Sequence, residues 1–194
     1  MDPLTVVVTG ASAGIGRAIS AALVDAGYRV VGVARRPDAL AKTAADLGGR
    51  FVARAVDVRD GAALAHALAS VGPIYGVVAN AGMVRQSPSE ADGAPQVWRE
   101  VLAVNLDGAF FTLRAALPHL GAGGRVVFVS SGLGKLGRAG FGAYAAAKHG
   151  VLGLMKCAAL ELAARDITAN AVCPGWVDTE MARSDLLQFA ATRQ

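Results

Sequence analysis

Six short apolar runs alternate along this chain with longer stretches that are rich in alanine. Valine is the most frequent residue in these runs, and the early runs lack apolar–polar alternation, which is typical of parallel strands that are covered on both faces. They lie at residues 4–9, 28–34, 51–56, 75–79, 125–130 and 167–172. Strand–helix alternation at this spacing predicts right-handed crossovers, and therefore a doubly wound parallel α/β sheet in a single domain over residues 1–194.

The stretches between these runs are long enough for helices. We place helices at residues 15–26, from about Gly61, at 95–120 and at 144–164, and Pro37 suits the first turn of another helix. Ligands bind such a sheet at the carboxyl ends of its strands. The residues that directly follow each strand are therefore the candidates for function.

The composition excludes several classes of function. Hydrophobic residues make up 54% of the chain, and the net charge of +4 comes without a basic run, which disfavours nucleic-acid binding. Cys157 and Cys173 form no metal-ligand pattern, so no metal site is predicted. Without a signal-peptide pattern or an apolar run of about 18 residues, the chain is predicted to be cytoplasmic and free of membrane contacts.

A glycine-rich turn, TGASAGIG, follows the first predicted strand and opens a helix. Glycine allows a tight turn and a close approach of backbone to a pyrophosphate, while the helix start offers free N–H groups. We therefore predict dinucleotide contacts from Gly10, Ser12, Gly14, Ile15 and Gly16. The alternative is a turn with a purely structural role.

The end of the second strand indicates which dinucleotide binds. Arg35 and Arg36 follow Ala34, and no acidic residue is available there for a ribose 2′-hydroxyl. Arginine matches a 2′-phosphate with paired donors, so the predicted cofactor is NADP(H). The alternative is that both arginines are solvated loop residues.

Small and polar residues end the third and fourth strands as well. Asp57, followed by Val58, offers a carboxylate that could accept the adenine amino proton, unless it caps the next helix. Asn80, Ala81 and Gly82 would let backbone lie against the cofactor.

Four residues form the predicted catalytic group. Tyr144 and Lys148 are four apart on a predicted helix and share one face, where an ammonium would lower the tyrosine pKa and allow proton transfer to a carbonyl oxygen. Ser131, just after the fifth strand, could hold the substrate oxygen. Asn105, a polar residue in an apolar helix, could bind backbone and hold a water that passes protons to Lys148. A solvated helix face is the alternative for the Tyr–Lys pair.

Together, the motifs TGASAGIG, NAG, VNLDG, SSGLGKLG, YAAAK and NAVCPGWVDTEM resemble the short-chain dehydrogenase/reductase family in order and spacing over essentially the whole chain. The resemblance implies a Rossmann fold in which Tyr144 is the acid/base. It also implies that Lys148 lowers the pKa of this tyrosine and binds the nicotinamide ribose, that Ser131 orients the substrate and that Asn105 serves a proton relay. It also implies nicotinamide contacts from four residues near the end of the chain: Pro174, Gly175, Val177 and Thr179.

The last third of the chain is most similar to fatty-acid and polyketide ketoreductases, which implies reduction of a ketone, with a β-keto thioester or polyketide as one class of substrate. Arg165 matches one of the two arginines that bind carrier protein in the fatty-acid enzymes, whereas Ala122 stands at the other position. The family pattern continues past PGWVDTEM with a substrate loop, a further helix and a seventh strand, and this chain stops at Gln194 inside the loop. The chain is thus expected to lack that strand.

Two further hypotheses are an NAD-dependent alcohol dehydrogenase of the same fold and a catalytically silent NADP-binding protein. Small and apolar residues surround much of the helix that begins near Tyr144. A second apolar face on one helix indicates a partner, so we expect a homodimer or homotetramer.

Overall fold

Six parallel strands form one sheet in the computed structural model, which describes residues 2–180 and 182–183. The strands are β1 (Thr5–Thr9), β2 (Arg29–Ala34), β3 (Phe51–Ala55), β4 (Ile74–Ala79), β5 (Leu120–Val129) and β6 (Thr168–Val172). Their order across the sheet is β3-β2-β1-β4-β5-β6, so the direction of winding reverses beside β1. The predicted doubly wound parallel sheet is therefore confirmed.

Helices connect the strands and cover the sheet. They are α1 (Gly14–Asp25), α2 (Pro37–Leu47), α3 (Gly61–Ala69), α4 (Ala94–Leu102), α5 (Gly108–Ala116) and α6 (Gly142–Leu162). A π turn, Ala103–Asp107, joins α4 to α5, and single 3₁₀ turns lie at Gly48–Arg50, Leu117–His119, Gly132–Gly134 and Ala163–Arg165.

The core has two layers because successive valines of a strand point to opposite faces. In β1, Val7 packs with side chains of α3, α5 and α6, whereas Val6 and Val8 pack with side chains of α1 and α2. Helices therefore bury both faces of the sheet, which explains why the strands lack apolar–polar alternation.

The fifth strand begins at Leu120, five residues before its predicted start at Arg125. Leu120 pairs with Ile74, and after an irregularity in register Arg125 pairs with Gly76. The segment between contains three glycines, which have low strand propensity, so only its pairing with β4 makes it a strand.

The predicted helix at 95–120 is present from Ala94 to His119 and contains the π turn. Its length and mean hydropathy of 1.2 would by themselves suit a membrane span, although no apolar run was recognised in the sequence. Core helices of globular domains share this composition. Here Val101, Leu113 and Ala116 are buried in the domain, so the apolar composition of this helix is explained by packing and is only weak evidence for a membrane contact.

Candidate active site

All of the predicted site residues line one cleft of about 950 Å³ at the carboxyl edge of the sheet. They follow β1 to β6 or lie on the helices that begin there. In chain order they are Gly10, Ser12, Gly14, Ile15, Gly16, Arg35, Arg36, Asp57, Val58, Asn80, Ala81, Gly82, Asn105, Ser131, Tyr144, Lys148, Pro174, Gly175, Val177 and Thr179.

The turn after β1 leaves no room for side chains at its glycines. A Cβ on Gly10 would lie 2.8 Å from Asn80 Nδ2 and 2.9 Å from the Cα of Ala81, and one on Gly16 would overlap the carbonyl oxygen of Gly10. Helix α1 begins without a side-chain cap and without an acidic residue in its first turn. Its first N–H groups therefore face the cleft beside bare backbone, and this arrangement fits a pyrophosphate.

Thr9, which the sequence analysis missed, joins the glycine turn to the end of β4. Its hydroxyl accepts hydrogen bonds from the N–H groups of Asn80 and Ala81 at 3.1 and 3.2 Å. The Asn80 side chain in turn donates to the Thr9 carbonyl oxygen at 2.9 Å. A threonine as the last residue of a buried strand was the available signal, because a buried hydroxyl requires a partner.

The part of the cleft at the ends of β2 and β3, where the sequence predicts the adenine end of the cofactor, carries three arginines and one carboxylate: Arg35, Arg36, Arg59 and Asp57. Arg59 donates to Asp57 through Nη2 at 2.6 Å and through Nε at 3.1 Å. This hydrogen bonding holds the pKa of Asp57 below its usual range, and the charge of Arg35 acts in the same direction. Asp57 does not cap α3, because the carboxylate of Asp60 accepts from the N–H of Ala63 in that role. Arg59 was not predicted as a site residue.

Lys148 is buried, with 4% of its surface exposed, so the solvated-face alternative is wrong for this residue. Its ammonium donates to the carbonyl oxygen of Val129 at 2.9 Å and lies 5.7 Å from the centroid of the Tyr144 ring. Burial lowers the pKa of Lys148 to about 8, and the nearby Cys173 opposes that shift. An ammonium with three donors keeps two for other partners after it binds Val129.

The start of α6 is attached to the end of β5 through Ser130. This buried hydroxyl donates to the carbonyl oxygen of Lys148 at 2.9 Å. Gly134 packs so closely that a Cβ there would overlap the Ser130 hydroxyl and lie 3.0 Å from the same carbonyl oxygen. Ser130, missed in the sequence, positions the helix, and it lines the cleft together with its neighbour Ser131.

Asn105 lies in the π turn, is 1% exposed and binds backbone as predicted. Its amide donates to the carbonyl oxygens of Met83 and Val101 at 2.8 and 2.9 Å, and its oxygen accepts from the N–H of Met83 at 3.2 Å. A Cβ on Gly82 would lie 2.7 Å from this oxygen and 3.5 Å from Lys148 Nζ. Glycine at position 82 therefore lets the backbone there lie close to both Asn105 and Lys148.

The loops after β5 and β6 close the catalytic end of the cleft. The Ser131 hydroxyl accepts from the N–H of Leu133 at 3.1 Å, which leaves its own O–H as a donor. The N–H of Gly132 donates to the carbonyl oxygen of Pro174 at 2.8 Å and joins the two loops. Thr179 reaches across to the glycine turn, where a Cβ on Gly14 would lie 3.2 Å from its methyl group.

Arg165 lies away from this cleft, at the amino end of β6. Its guanidinium donates to the carbonyl oxygens of Leu117 and Leu120 at 3.0 and 2.6 Å. The residue therefore has a structural role at the opposite edge of the sheet. The substrate loop expected past the PGWVDTEM motif falls mainly on residues 184–194, outside the described residues.

Comparison with known proteins identifies the family. The model of the family described as short chain dehydrogenase matches residues 4–188. A D-beta-hydroxybutyrate dehydrogenase of Cupriavidus necator is 35% identical over 94% of this chain and 74% of its own length.

Solved structures agree in fold. An actinorhodin polyketide ketoreductase crystallised with NADPH is 37% identical, with a TM-score of 0.89 over 97% of this chain and 76% of its own. Carveol dehydrogenase from Mycobacterium avium in complex with NAD is 34% identical, with a TM-score of 0.83 over 92% of this chain and 72% of its own. Together with a parallel sheet whose glycine turn fits a pyrophosphate, these matches show that the chain belongs to the short-chain dehydrogenase/reductase family of nucleotide-binding oxidoreductases.

Proposed function

We propose that this protein is an NADP(H)-dependent reductase that converts a ketone into a secondary alcohol. Tyr144 is the general acid, Lys148 and Ser131 assist it, and Asn105 supports the proton relay. The observation that carries the proposal is that these four side chains meet in one cleft with the glycine turn.

Each of the proposed catalytic residues has its own role in the reduction of the carbonyl group. The reduced nicotinamide, when bound, supplies the hydride for the carbonyl carbon. Ser131 donates its O–H to the carbonyl oxygen, and Tyr144 gives that oxygen the proton that completes the alcohol. The neighbouring ammonium of Lys148 stabilises the tyrosinate that remains.

Proton return to Tyr144 requires a path to solvent. Lys148 uses one donor on Val129, so two N–H groups remain for the ribose hydroxyls and a water. Asn105 holds the backbone at Met83 through its side-chain amide, next to Gly82, and we propose that polar groups of this segment hold such a water near the ammonium. We propose that this route feeds protons to Lys148 and then to Tyr144.

The cofactor preference rests on Arg35 and Arg36, which are exposed and line the adenine end of the cleft. Ala34 provides no carboxylate for a 2′-hydroxyl, and Arg59 engages the nearest acid, Asp57. A 2′-phosphate is the ligand that such a group of guanidinium cations favours. The related structures contain NADPH in one case and NAD in the other, so NADP(H) is our proposal for this chain.

The names of the related enzymes support a β-keto acid or β-keto acyl compound as substrate, since one acts on D-beta-hydroxybutyrate, the reduced form of a β-keto acid, and another on a polyketide. We propose a small molecule of this kind, free or held as a thioester, and a cytoplasmic location.

Turnover of a panel of ketones and β-keto thioesters with NADPH tests the proposal. Tyr144→Phe should lower kcat by about 10²–10⁴-fold, because only the phenol transfers the proton, and should leave NADPH affinity nearly unchanged. Tyr28→Phe is the matched control, because Tyr28 stacks on Tyr75 outside the cleft. If Tyr144→Phe keeps more than about a tenth of kcat, Tyr144 is not the acid. A wild-type protein that binds NADPH but reduces no member of the panel would instead favour a silent binding protein.

A further inference from the structure

Arg59 lines the cleft just after β3, and it holds the carboxylate of Asp57 through three N–H donors. Its side-chain Nε donates to both carboxylate oxygens at 3.1 Å, and Nη2 donates to Oδ2 at 2.6 Å. Its backbone N–H donates to Oδ1 at 3.0 Å. A planar guanidinium that meets both oxygens of a carboxylate forms a better-defined pair than most surface ion pairs.

The carboxylate that Arg59 holds lies beside another arginine of the cleft, Arg35. Strands β2 and β3 are paired in parallel, and beyond β3 the N–H of Val56 still donates to the carbonyl oxygen of Ala34 at 3.1 Å. Arg35 and Asp57 are the next residues of the two segments, so they leave the sheet side by side. Hydrogen bonding to Arg59 lowers the pKa of Asp57, and the charge of Arg35 acts on the same carboxyl in the same direction.

Two cations are therefore available to one carboxylate, and only one of them is bound to it. Among the described residues, no hydrogen bond or ion pair involves the side chain of Arg35. If Arg59 were absent, Asp57 could pair with Arg35, whose donors would then be taken from a phosphate. A carboxylate without a partner would also repel a phosphate bound in the same part of the cleft.

From this geometry we infer that Arg59 is a positioning residue for cofactor specificity. By holding Asp57, it leaves Arg35 available for the 2′-phosphate of NADP(H) and prevents an uncompensated carboxylate from opposing that anion. Arg59 does not itself bind the phosphate. This inference rests on the proposed function, because it concerns the cofactor that we propose for the same site.

Fluorescence titration with NADPH and with NADH tests the inference without turnover. The measured quantity is the ratio of the two affinities, because any effect on parts that the two cofactors share cancels in it. Arg59→Gln should weaken NADPH binding by about three- to fivefold, the size expected for an exposed ion pair, and should leave NADH binding nearly unchanged.

A second substitution distinguishes an indirect role from a direct contact. Asp57→Asn removes the negative charge and keeps the size of the side chain. Added to Arg59→Gln, it should restore most of the lost preference for NADPH, because no carboxylate remains to be held. If the double variant prefers NADPH no more than Arg59→Gln does, Arg59 binds the phosphate itself and the inference is wrong.

Arg17→Gln is the matched control. Arg17 pairs with Asp46 at 2.8 Å, and its side chain is 46% exposed, compared with 45% for Arg59, but it lies outside the cleft. This control should leave the ratio of the two affinities unchanged. Equal weakening of NADPH and NADH by Arg59→Gln would show that Arg59 only maintains the local structure, and that result would overturn the inference.

The wild type separates failure of the inference from failure of the proposed function. A wild type that prefers NADPH, together with an Arg59→Gln variant that keeps the whole preference, overturns the role of Arg59 and leaves the NADP(H) proposal standing. A wild type that binds both cofactors equally refutes the NADP(H) assignment, and the role of Arg59 with it. Reduction of the ketone panel is measured separately, so neither result decides whether the protein is a reductase.

Discussion

Lys148 places an ammonium group in the interior, where burial lowers its pKa from 10.5 to about 8. Between these values the unfolded chain holds a proton that the folded protein has released. Folding therefore becomes more favourable as pH rises through this window, and the cost of the buried charge is complete below about pH 8.

This pKa shift predicts a pH-dependent difference between the wild type and Lys148→Met. In the cofactor-free protein, the stability of the wild type relative to the variant should rise by about 3 kcal/mol between the two pKa values. Denaturant unfolding across that pH range measures it. Lys156→Met, at an exposed position on α6, should show no such change. A pH-independent difference between Lys148→Met and the wild type would contradict the buried ammonium.

The predicted preference for NADPH over NADH depends on a single residue, Arg35. NADPH should bind at least about tenfold more tightly than NADH, because a charge-assisted phosphate contact contributes about 1.5–3 kcal/mol. Arg35→Gln should remove much of that preference by weakening NADPH alone, whereas Arg50→Gln should preserve it. Fluorescence titration measures both cofactors, and equal affinities in the wild type would refute the NADP(H) assignment.

At the scale of elements, the junction of β5 and α6 determines where Lys148 and Tyr144 lie relative to Ser131. Strand pairing and the Ser130–Lys148 hydrogen bond hold this junction, and Gly134 allows the close approach. The π turn has a similar role for Asn105, because it lies where helix α4 passes into α5 beside Met83. Irregular backbone thus occurs next to the proposed catalytic side chains.

Gly134→Ala tests the junction. Its Cβ would meet Ser130 and the Lys148 backbone, so overpacking should lower the free energy of unfolding by about 1–3 kcal/mol and should also lower kcat. Gly137→Ala is the matched control in the same loop, because a Cβ there meets nothing within 4 Å. Denaturation and turnover of both variants provide the comparison. Equal behaviour of the two would mean that the close contact is unimportant.

At the scale of the whole molecule, apolar side chains remain exposed on the outer helices. Phe110 on α5 is 42% exposed, and Leu160 on α6 is 81% exposed. Trp98 on α4 is also partly exposed, at 46%. Large apolar side chains on neighbouring helix faces indicate an interface, and the family resemblance implies a pairing of these helices about a two-fold axis.

We therefore predict a homo-oligomer, at least a dimer, that uses α4, α5 and α6. Light scattering at micromolar concentration should give at least twice the mass of the chain, and Leu160→Asp should shift the population towards monomer because it places a charge in the interface. Leu4→Asp, at another exposed apolar position before β1, should leave the mass unchanged. A wild-type monomer would contradict this prediction.

The local sequence was sufficient for the strand–helix order, the glycine turn and many of the residues that line the cleft, although not for Arg59 or Ser130. Valine runs, glycines and the Tyr–Lys spacing are local signals, and the carboxyl ends of parallel strands meet at one edge whatever the details of packing. Only tertiary structure decided that β5 begins at Leu120, because pairing with β4 recruits glycines that have no strand preference of their own. Tertiary structure also decided that Lys148 is buried and that Asp60, rather than Asp57, is the N-cap residue of α3. It brought Arg138 onto Trp176, a residue distant in sequence. These outcomes depend on contacts between separate segments, which the chain order alone does not specify.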